Sequence, residues 1–102
     1  MQEKQLYAGM IRLHILHHAS REPIFGLGLI EELGRHGYAL SPGTLYPLLH
    51  DMERTGFLRS RSQQVDGRNR RTYRITAEGR RVLKSAKGKV RELFGELFEV
   101  ED

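Results

Sequence analysis

The sequence has no cysteine and no tryptophan, and it lacks any long hydrophobic run. Without cysteine, the chain forms neither disulfide bonds nor thiolate metal sites, which fits a protein of the reducing cytoplasm. No stretch approaches the roughly 18 consecutive apolar residues that span a membrane, and residues 1–5 lack the basic and then apolar order of a signal peptide. From 102 residues we expect one small cytoplasmic domain without a membrane partner.

Positive charge is concentrated in the middle of the chain. Residues 1–53 carry a formal charge of −2 and residues 82–102 carry −1, whereas residues 54–81 carry +7 because they hold nine arginines and two acidic residues. Arginine concentrated on a folded domain is typical of proteins that bind a polyanion, most often nucleic acid. A basic face that simply meets solvent is the alternative when charge is considered alone.

A short amphipathic helix leads into this basic block. Ser41 suits the N-cap position, Pro42 suits the first helical position, and Gly56 ends the helix. Its apolar face follows the spacing i, i+3, i+4 and i+7 through Leu45, Leu48, Leu49 and Met52. Because Pro47 has no N–H, we expect either an irregular first turn after Ser41 or a helix that begins with Thr44 as its cap.

The other face of this helix is polar or small, and we predict that it enters the major groove of double-stranded DNA. The first N–H groups of the helix are also suited to receive a phosphate. The residues predicted to contact DNA here are Ser41, Gly43, Thr44, Tyr46 and His50. For Tyr46, a place at the edge of the core is the alternative.

A basic β-hairpin is predicted after this helix. Residues 57–62 and 71–76 read as strands, and Asp66-Gly67 between them is a hairpin-turn signal. A purely structural hairpin would not need the six arginines that this one contains: Arg59, Arg61, Arg68, Arg70, Arg71 and Arg74. We predict contacts with phosphates or with the minor groove from Arg54, Arg59, Arg61, Arg68, Arg70 and Arg71. For the first three, a solvated position is the alternative.

Two helices are predicted earlier in the chain, over residues 5–19 and 25–35. Gly26 and Gly28 weaken the second helix by about 1 kcal/mol each relative to alanine, and we expect them to allow a neighbouring helix to approach closely. The first helix has apolar residues on two faces, which a small domain buries only with a partner.

The last predicted helix begins after Thr76, its N-cap, and carries a coiled-coil seam. The seam residues are spaced alternately by three and four: Leu83, Ala86, Val90, Leu93, Leu97 and Val100. Because no segment remains to cover them, we predict a homodimer. Its predicted contacts come from the last and first helices: Leu6, Met10, Leu83, Val90, Leu93, Phe94, Leu97 and Phe98. The alternative is that the last helix folds back on the first helix of its own chain.

Three helices followed by a basic hairpin is the order of a winged helix-turn-helix, and four motifs resemble the PadR family of transcriptional regulators. The motifs are Pro-Ile-Phe-Gly at 23–26, Leu-Ser-Pro-Gly-Thr-Leu-Tyr-Pro-Leu-Leu at 40–49, Glu-Arg-Thr-Gly-Phe-Leu at 53–58 and Arg-Thr-Tyr-Arg-Ile-Thr-Ala-Glu-Gly at 71–79. The similarity runs from about residue 13 to residue 83. One departure is Leu27, where the family usually has tyrosine after the glycine.

The resemblance implies a mainly α fold with a small β-hairpin: a winged helix-turn-helix over residues 1–77, with its wing at 57–76, and a dimerisation helix over 78–102 that packs with the first helix. It also implies a homodimeric repressor of the short subfamily. Two-fold symmetry predicts a pseudo-palindromic operator. Members of that subfamily often bind a flat hydrophobic effector between subunits, and the aromatic residues available for it are Tyr7, Phe94 and Phe98.

Catalysis and metal binding have little support in the sequence. His14 and His18 are spaced to hold a metal on one helix face, but the only nearby carboxylate is Glu22. We therefore predict that His17 and His18 border the dimer surface and that the protein has no metal, no cofactor and no catalytic residues. No serine, histidine and acid occur in a nucleophile-elbow context.

Two other functions are compatible with helices of this kind. A winged-helix module that binds only proteins would use the same apolar helices, but it would not need a charge of +7 across the end of the third helix and the wing. A different DNA-binding winged-helix family, such as one that is MarR-like, normally places more helix after the wing than this chain has.

Overall fold

Four helices and three short strands make up the computed structural model, which describes residues 3–99. In chain order the elements are α1 (Glu3–Arg21), β1 (Ile24–Phe25), α2 (Gly26–Arg35), α3 (Pro42–Arg54), β2 (Leu58–Val65), β3 (Arg68–Ile75) and α4 (Ala77–Phe98). The predicted winged helix-turn-helix with a long last helix is confirmed. Among the described residues, no helix combines the length and the apolar character that crossing a membrane requires.

The hairpin is longer than predicted because its strands reach the turn. Both β2 and β3 have eight residues, and they pair antiparallel from Leu58↔Ile75 to Val65↔Arg68. Asp66 and Gly67 form the predicted turn with φ angles of 52° and 76°, the left-handed values that a two-residue hairpin loop needs. The outer halves of the strands are polar on both faces, so no alternation marked them in the sequence.

Strand β1 was not predicted. Ile24 pairs with Tyr73 and Phe25 pairs with Thr72, so β1 adds a third strand on the free side of β3. A strand of two residues has no period that a sequence pattern could reveal. Phe25, predicted as helical, is extended and is the N-cap residue of α2.

Helix α3 starts at Pro42, and Pro47 lies inside it. The backbone carbonyl of Ser41 accepts bonds from the N–H groups of Thr44, at 3.1 Å, and Leu45, at 2.9 Å, which tightens the first turn as expected. The alternative start with Thr44 as cap is therefore wrong. The side-chain cap predicted for Ser41 is also absent, because the Ser41 hydroxyl donates to Thr44 Oγ1 at 3.3 Å.

The core lies between the helices and the inner face of the hairpin. Its buried members are Ile15, Leu16, Ala19, Ile24, Leu29, Leu33, Leu45, Leu49, Met52, Leu58, Tyr73 and Leu83. Leu48, predicted on the apolar face of α3, is only partly buried. Gly56 ends α3 with a φ of 91°, as predicted for a left-handed C-terminal glycine.

Helix α4 is packed at its beginning and exposed towards its end. Thr76 Oγ1 accepts from the N–H of Gly79 at 3.0 Å, which confirms the predicted cap. Leu83 is buried against its own chain, whereas Val90 is 48% exposed and Phe98 is 64% exposed. The first part of α4 thus folds back on α1, as the alternative had it, and the rest of the seam stays uncovered within residues 3–99. Val100 lies outside the described residues.

Gly79 and Gly88 lie in the same helix but in opposite surroundings, which gives a matched pair of substitutions. A Cβ on Gly79 would lie 2.7 Å from Ile75 Cγ1 and would also overlap the backbone oxygen of Phe57, whereas a Cβ on Gly88 would meet nothing within 4 Å. We expect Gly79→Ala to lower the free energy of unfolding by about 1–3 kcal/mol, because the strand must move. Gly88→Ala should raise it by about 0.5–1 kcal/mol.

Urea denaturation at one fixed protein concentration measures both changes. Equal effects of the two substitutions would contradict the close approach of α4 to the base of the hairpin.

Candidate nucleic-acid interface

The pairing register of the hairpin sorts its arginines by face. Leu58 and Tyr73 are buried, so the residues in phase with them point inwards, and the alternate residues point outwards. The outward residues include five arginines, here called the outer arginine face: Arg59, Arg61, Arg68, Arg70 and Arg74. Arg71 is in phase with the inner side. Five of the six hairpin arginines therefore share one face. This grouping follows from the strand alternation and the pairing register, not from the spacing of three and four that marks a helix face.

Arg59 lies directly opposite Arg74 in this register. Like charges opposite each other on neighbouring strands destabilise a sheet unless an anion lies between them. Within residues 3–99, Arg59, Arg61, Arg68 and Arg74 make no side-chain hydrogen bond or ion pair with the protein. Their guanidinium groups are therefore available to an external polyanion such as the DNA backbone.

The other predicted phosphate ligands have protein contacts. The guanidinium carbon of Arg70 lies 3.9 Å from the ring centroid of Phe25, a cation–π contact that places it over β1. Stacking of this kind leaves the N–H edges of arginine free to bind. Arg54 forms an ion pair with Asp51 at the end of α3, and Asp51 also lies 3.5 Å from Arg12. Arg54 is thus partly neutralised, in line with the solvated alternative.

A carboxylate on α3 anchors the hairpin to that helix. The N–H of Ser60 donates to Glu53 Oε2 at 2.9 Å, and the Ser60 hydroxyl lies 2.7 Å from the same oxygen. Arg71 donates to the Ser60 hydroxyl at 2.8 Å. The pKa of Glu53 is lowered, first by the Ser60 hydroxyl and then by the Ser60 N–H, with smaller contributions from Arg71 and His50.

This network was missed at the level of sequence because Glu53 and Ser60 lie on different elements. It changes the interpretation of Arg71, predicted as a phosphate ligand: the structure places its guanidinium on the inner side, next to the anchor. It also places His50 near Glu53, so this predicted DNA contact lies close to the base of the hairpin.

The predicted α3 contacts lie on one exposed front. Ser41, Gly43, Thr44 and His50 are exposed, as the DNA interpretation requires. Tyr46 is partly exposed and partly packed. Its side chain is 37% exposed, and its ring lies against Gly26 of α2. A Cβ on Gly26 would lie 2.6 Å from Tyr46 Cζ, so the glycine provides the close helix approach that was expected.

The predicted dimer contacts lie on a continuous apolar surface, with one exception. Leu6, Met10, Val90, Leu93, Phe94, Leu97 and Phe98 are exposed large hydrophobic residues of α1 and α4. Leu83 is instead buried in the core of its own chain, so it does not lie on the exposed surface predicted for the dimer. An open groove of about 800 Å³ runs between α1 and α4. Of the three aromatic residues considered for an effector, Phe94 lines this groove.

The described geometry agrees with what is known of related proteins. The model of the transcriptional regulator PadR-like family matches residues 15–85. The transcriptional regulator Rv3488 of Mycobacterium tuberculosis is 47% identical over 95 residues, which are 93% of this chain and 89% of that protein.

Solved structures extend the likeness to the arrangement of the elements. A PadR-like transcriptional regulator from Bacillus cereus is 29% identical, with a TM-score of 0.77 over 95% of this chain and 99% of that one. A PadR family regulator from Eggerthella lenta is 33% identical, with a TM-score of 0.75 over 91% of this chain and 79% of that one.

The anchor predicts a pH-dependent contribution to stability. Because the pKa of Glu53 is lowered in the folded state, its contribution is present above the unfolded-state pKa of about 4.3 and is lost as the pH falls through the lowered value. We expect Glu53→Gln to lower the free energy of unfolding by about 1–2 kcal/mol at pH 7, and by much less at pH 3. Urea denaturation at the two pH values measures this difference.

Glu31→Gln is the matched control, because Glu31 forms an exposed pair with Arg35 on α2. Its effect should stay within about 0.5 kcal/mol at pH 7. A loss for Glu53→Gln that is equally large at pH 3 would show that the charge of Glu53 does not matter.

Proposed function

Because this chain belongs to the PadR-like family of transcriptional regulators, we propose that it is a repressor that acts as a homodimer on a pseudo-palindromic operator in double-stranded DNA. Two observations carry this proposal: the exposed front of α3, and the outer arginine face of the hairpin that follows it. A regulator that reads DNA needs a helix that fits the major groove and cations that hold the neighbouring phosphates. The exposed front of α3 and the outer arginines support this proposal, and Glu53 links α3 to the hairpin.

In this proposal α3 is the recognition helix. Thr44 and His50 offer hydrogen-bonding groups to base edges, and Ser41 and Gly43 lie at the helix start, where a phosphate is favoured. Tyr46 contributes its exposed edge while its ring holds α2 and α3 together. The base-reading surface is therefore short, which suits a dimer that doubles the number of contacts.

The wing contributes affinity that does not depend on base sequence. Arg61 and Arg68 have no side-chain partner among residues 3–99 and lie on the outer arginine face, towards the turn from the base of the hairpin. We assign them to phosphates or to the minor groove, and Arg59 and Arg70 to the same surface nearer the base. Arg54 and Arg71 have a smaller role, because each is held by the protein.

Dimerisation is proposed through the exposed parts of α1 and α4, with residues 1–77 as the DNA-binding domain and residues 78–102 as the dimerisation segment. Support comes from the apolar stripe that runs along α4 past Leu83, since soluble monomers rarely expose contiguous apolar surface of this kind. A two-fold dimer would place its recognition helices about 34–36 Å apart, on half-sites one DNA turn apart. A flat hydrophobic effector is proposed to bind the groove that Phe94 lines.

DNA binding is tested with a labelled duplex from the region upstream of the gene, by fluorescence anisotropy at several salt concentrations. We expect specific, salt-sensitive binding by the natural chain. Arg68→Ala should weaken binding to specific and unrelated duplexes alike and reduce the slope of log affinity against log salt by about 1, because one phosphate contact is lost.

Arg35→Ala is the control for charge, because Arg35 pairs with Glu31 and Glu32 on a different surface. It should leave the salt slope unchanged. If the natural chain bound no duplex at all, the winged-helix module that binds only proteins would be the better interpretation.

Dimerisation is tested by sedimentation of two leucine variants. Leu93→Asp places a charge in the exposed α4 stripe and should convert the dimer to monomer, because the partner surface cannot solvate that charge. Leu27→Asp is matched, since Leu27 is 67% exposed on α2, outside the stripe, and it should leave the dimer intact. A dimer that persists in Leu93→Asp would refute the α4 interface.

A further inference from the structure

Three histidines from α1 and the end of α2 lie close together. His14 and His18 lie one turn apart on α1, and His36 is the C-cap residue of α2. One ring nitrogen from each histidine can be chosen so that all three lie within 4.8 Å of one another. The ring centroids of His14 and His36 are 4.6 Å apart, and those of His18 and His36 are 6.1 Å apart.

One of the three histidines has a buried polar atom without a partner. Nε2 of His18 is buried and has no hydrogen-bond partner within the described part of the chain. Buried polar atoms are nearly always paired, with protein, water or an ion. Three imidazoles this close would repel one another if all were protonated. Neutral imidazole is the form that binds metals.

A carboxylate adjoins the cluster. Glu32 Oε2 lies 3.2 Å from His36 Nε2, one turn earlier on α2. Histidine ligands in metal sites usually donate their second ring N–H to a carboxylate or carbonyl, which fixes the orientation of the ring. The sequence interpretation considered only Glu22 as a nearby acid and did not consider His36, because both His36 and Glu32 come from the next helix.

We propose that His14, His18 and His36 form a binding site for one divalent transition metal ion of the zinc type, with Glu32 as the carboxylate that orients His36. Three imidazoles with one open position is a common zinc arrangement, and imidazole also suits copper, nickel and cobalt. The donor atoms would have to close from 4.8 Å to about 3.4 Å, the separation that follows from Zn–N bonds of about 2.0–2.1 Å. The side chain of His36 is 43% exposed at a helix end, so it has room for that movement.

The position of the site gives it a consequence for the fold. A bound ion would fasten α1 to the end of α2, directly before residues 37–41, which lead into α3. His17 is not one of the three clustered donors, although its ring centroid lies 5.1 Å from that of His18. The proposal does not depend on DNA binding, and metal binding can be measured on the protein alone.

The test uses full-length protein from which any purification tag and any bound metal have been removed. Zn²⁺ is titrated by calorimetry, and Co²⁺ is added separately so that its visible absorption reports the coordination geometry. We expect one ion per chain. His14→Ala, His18→Ala and His36→Gln should each weaken Zn²⁺ binding by about 100-fold or more, and Glu32→Gln by about 10- to 100-fold.

His17→Gln is the matched control, because it removes a neighbouring histidine of α1 and should retain the affinity of the natural chain. Circular dichroism checks that each variant is folded, and the exposed His36 keeps the test valid if the variants on α1 do not fold. In the natural chain Zn²⁺ should raise the melting temperature, and in His36→Gln it should not.

Three results would overturn the proposal: no Zn²⁺ binding by the natural chain, unchanged affinity in His36→Gln, or a loss in His17→Gln as large as in the other variants. The last result would indicate binding by scattered surface histidines.

Discussion

The hydrogen bonds from Ser60 to Glu53 fix the position of the hairpin relative to α3. Glu53 lies near the end of α3 and Ser60 lies near the start of β2, so one carboxylate determines where the hairpin leaves the helix. Arg71 completes the contact from the other strand. If this anchor were loose, the hairpin could change its position relative to α3. With it, the hairpin is held at a fixed place beside the end of that helix.

Much of this fold could be predicted because each element carries its own local signal. The apolar spacing of α3, the Asp66-Gly67 turn and the Thr76 cap depend on residues a few positions apart, and all three were found where the sequence placed them. Strand β1 had no such signal. Two extended residues become a strand only because β3 lies beside them.

The candidate site could be predicted by residue type but not by arrangement. Arginines were predicted to bind phosphates, yet their distribution between two faces follows from the pairing register, which no single residue encodes. Leu83 shows the same limit. A seam of spacing three and four looks identical whether its partner is another subunit or the first helix of the same chain, and α4 does the latter at its beginning. The approach of His36 to α1 likewise depends on how two helices cross.

The pairing of Arg59 with Arg74 has a consequence for how the protein responds to its ionic surroundings. Two positively charged residues lie directly opposite each other on neighbouring strands, an arrangement that destabilises a sheet. A phosphate would remove this repulsion on binding, and dissolved salt removes it beforehand by screening. Salt would therefore oppose association in two ways: it reduces the gain from counterion release, and it relieves in advance the internal strain that binding would otherwise relieve.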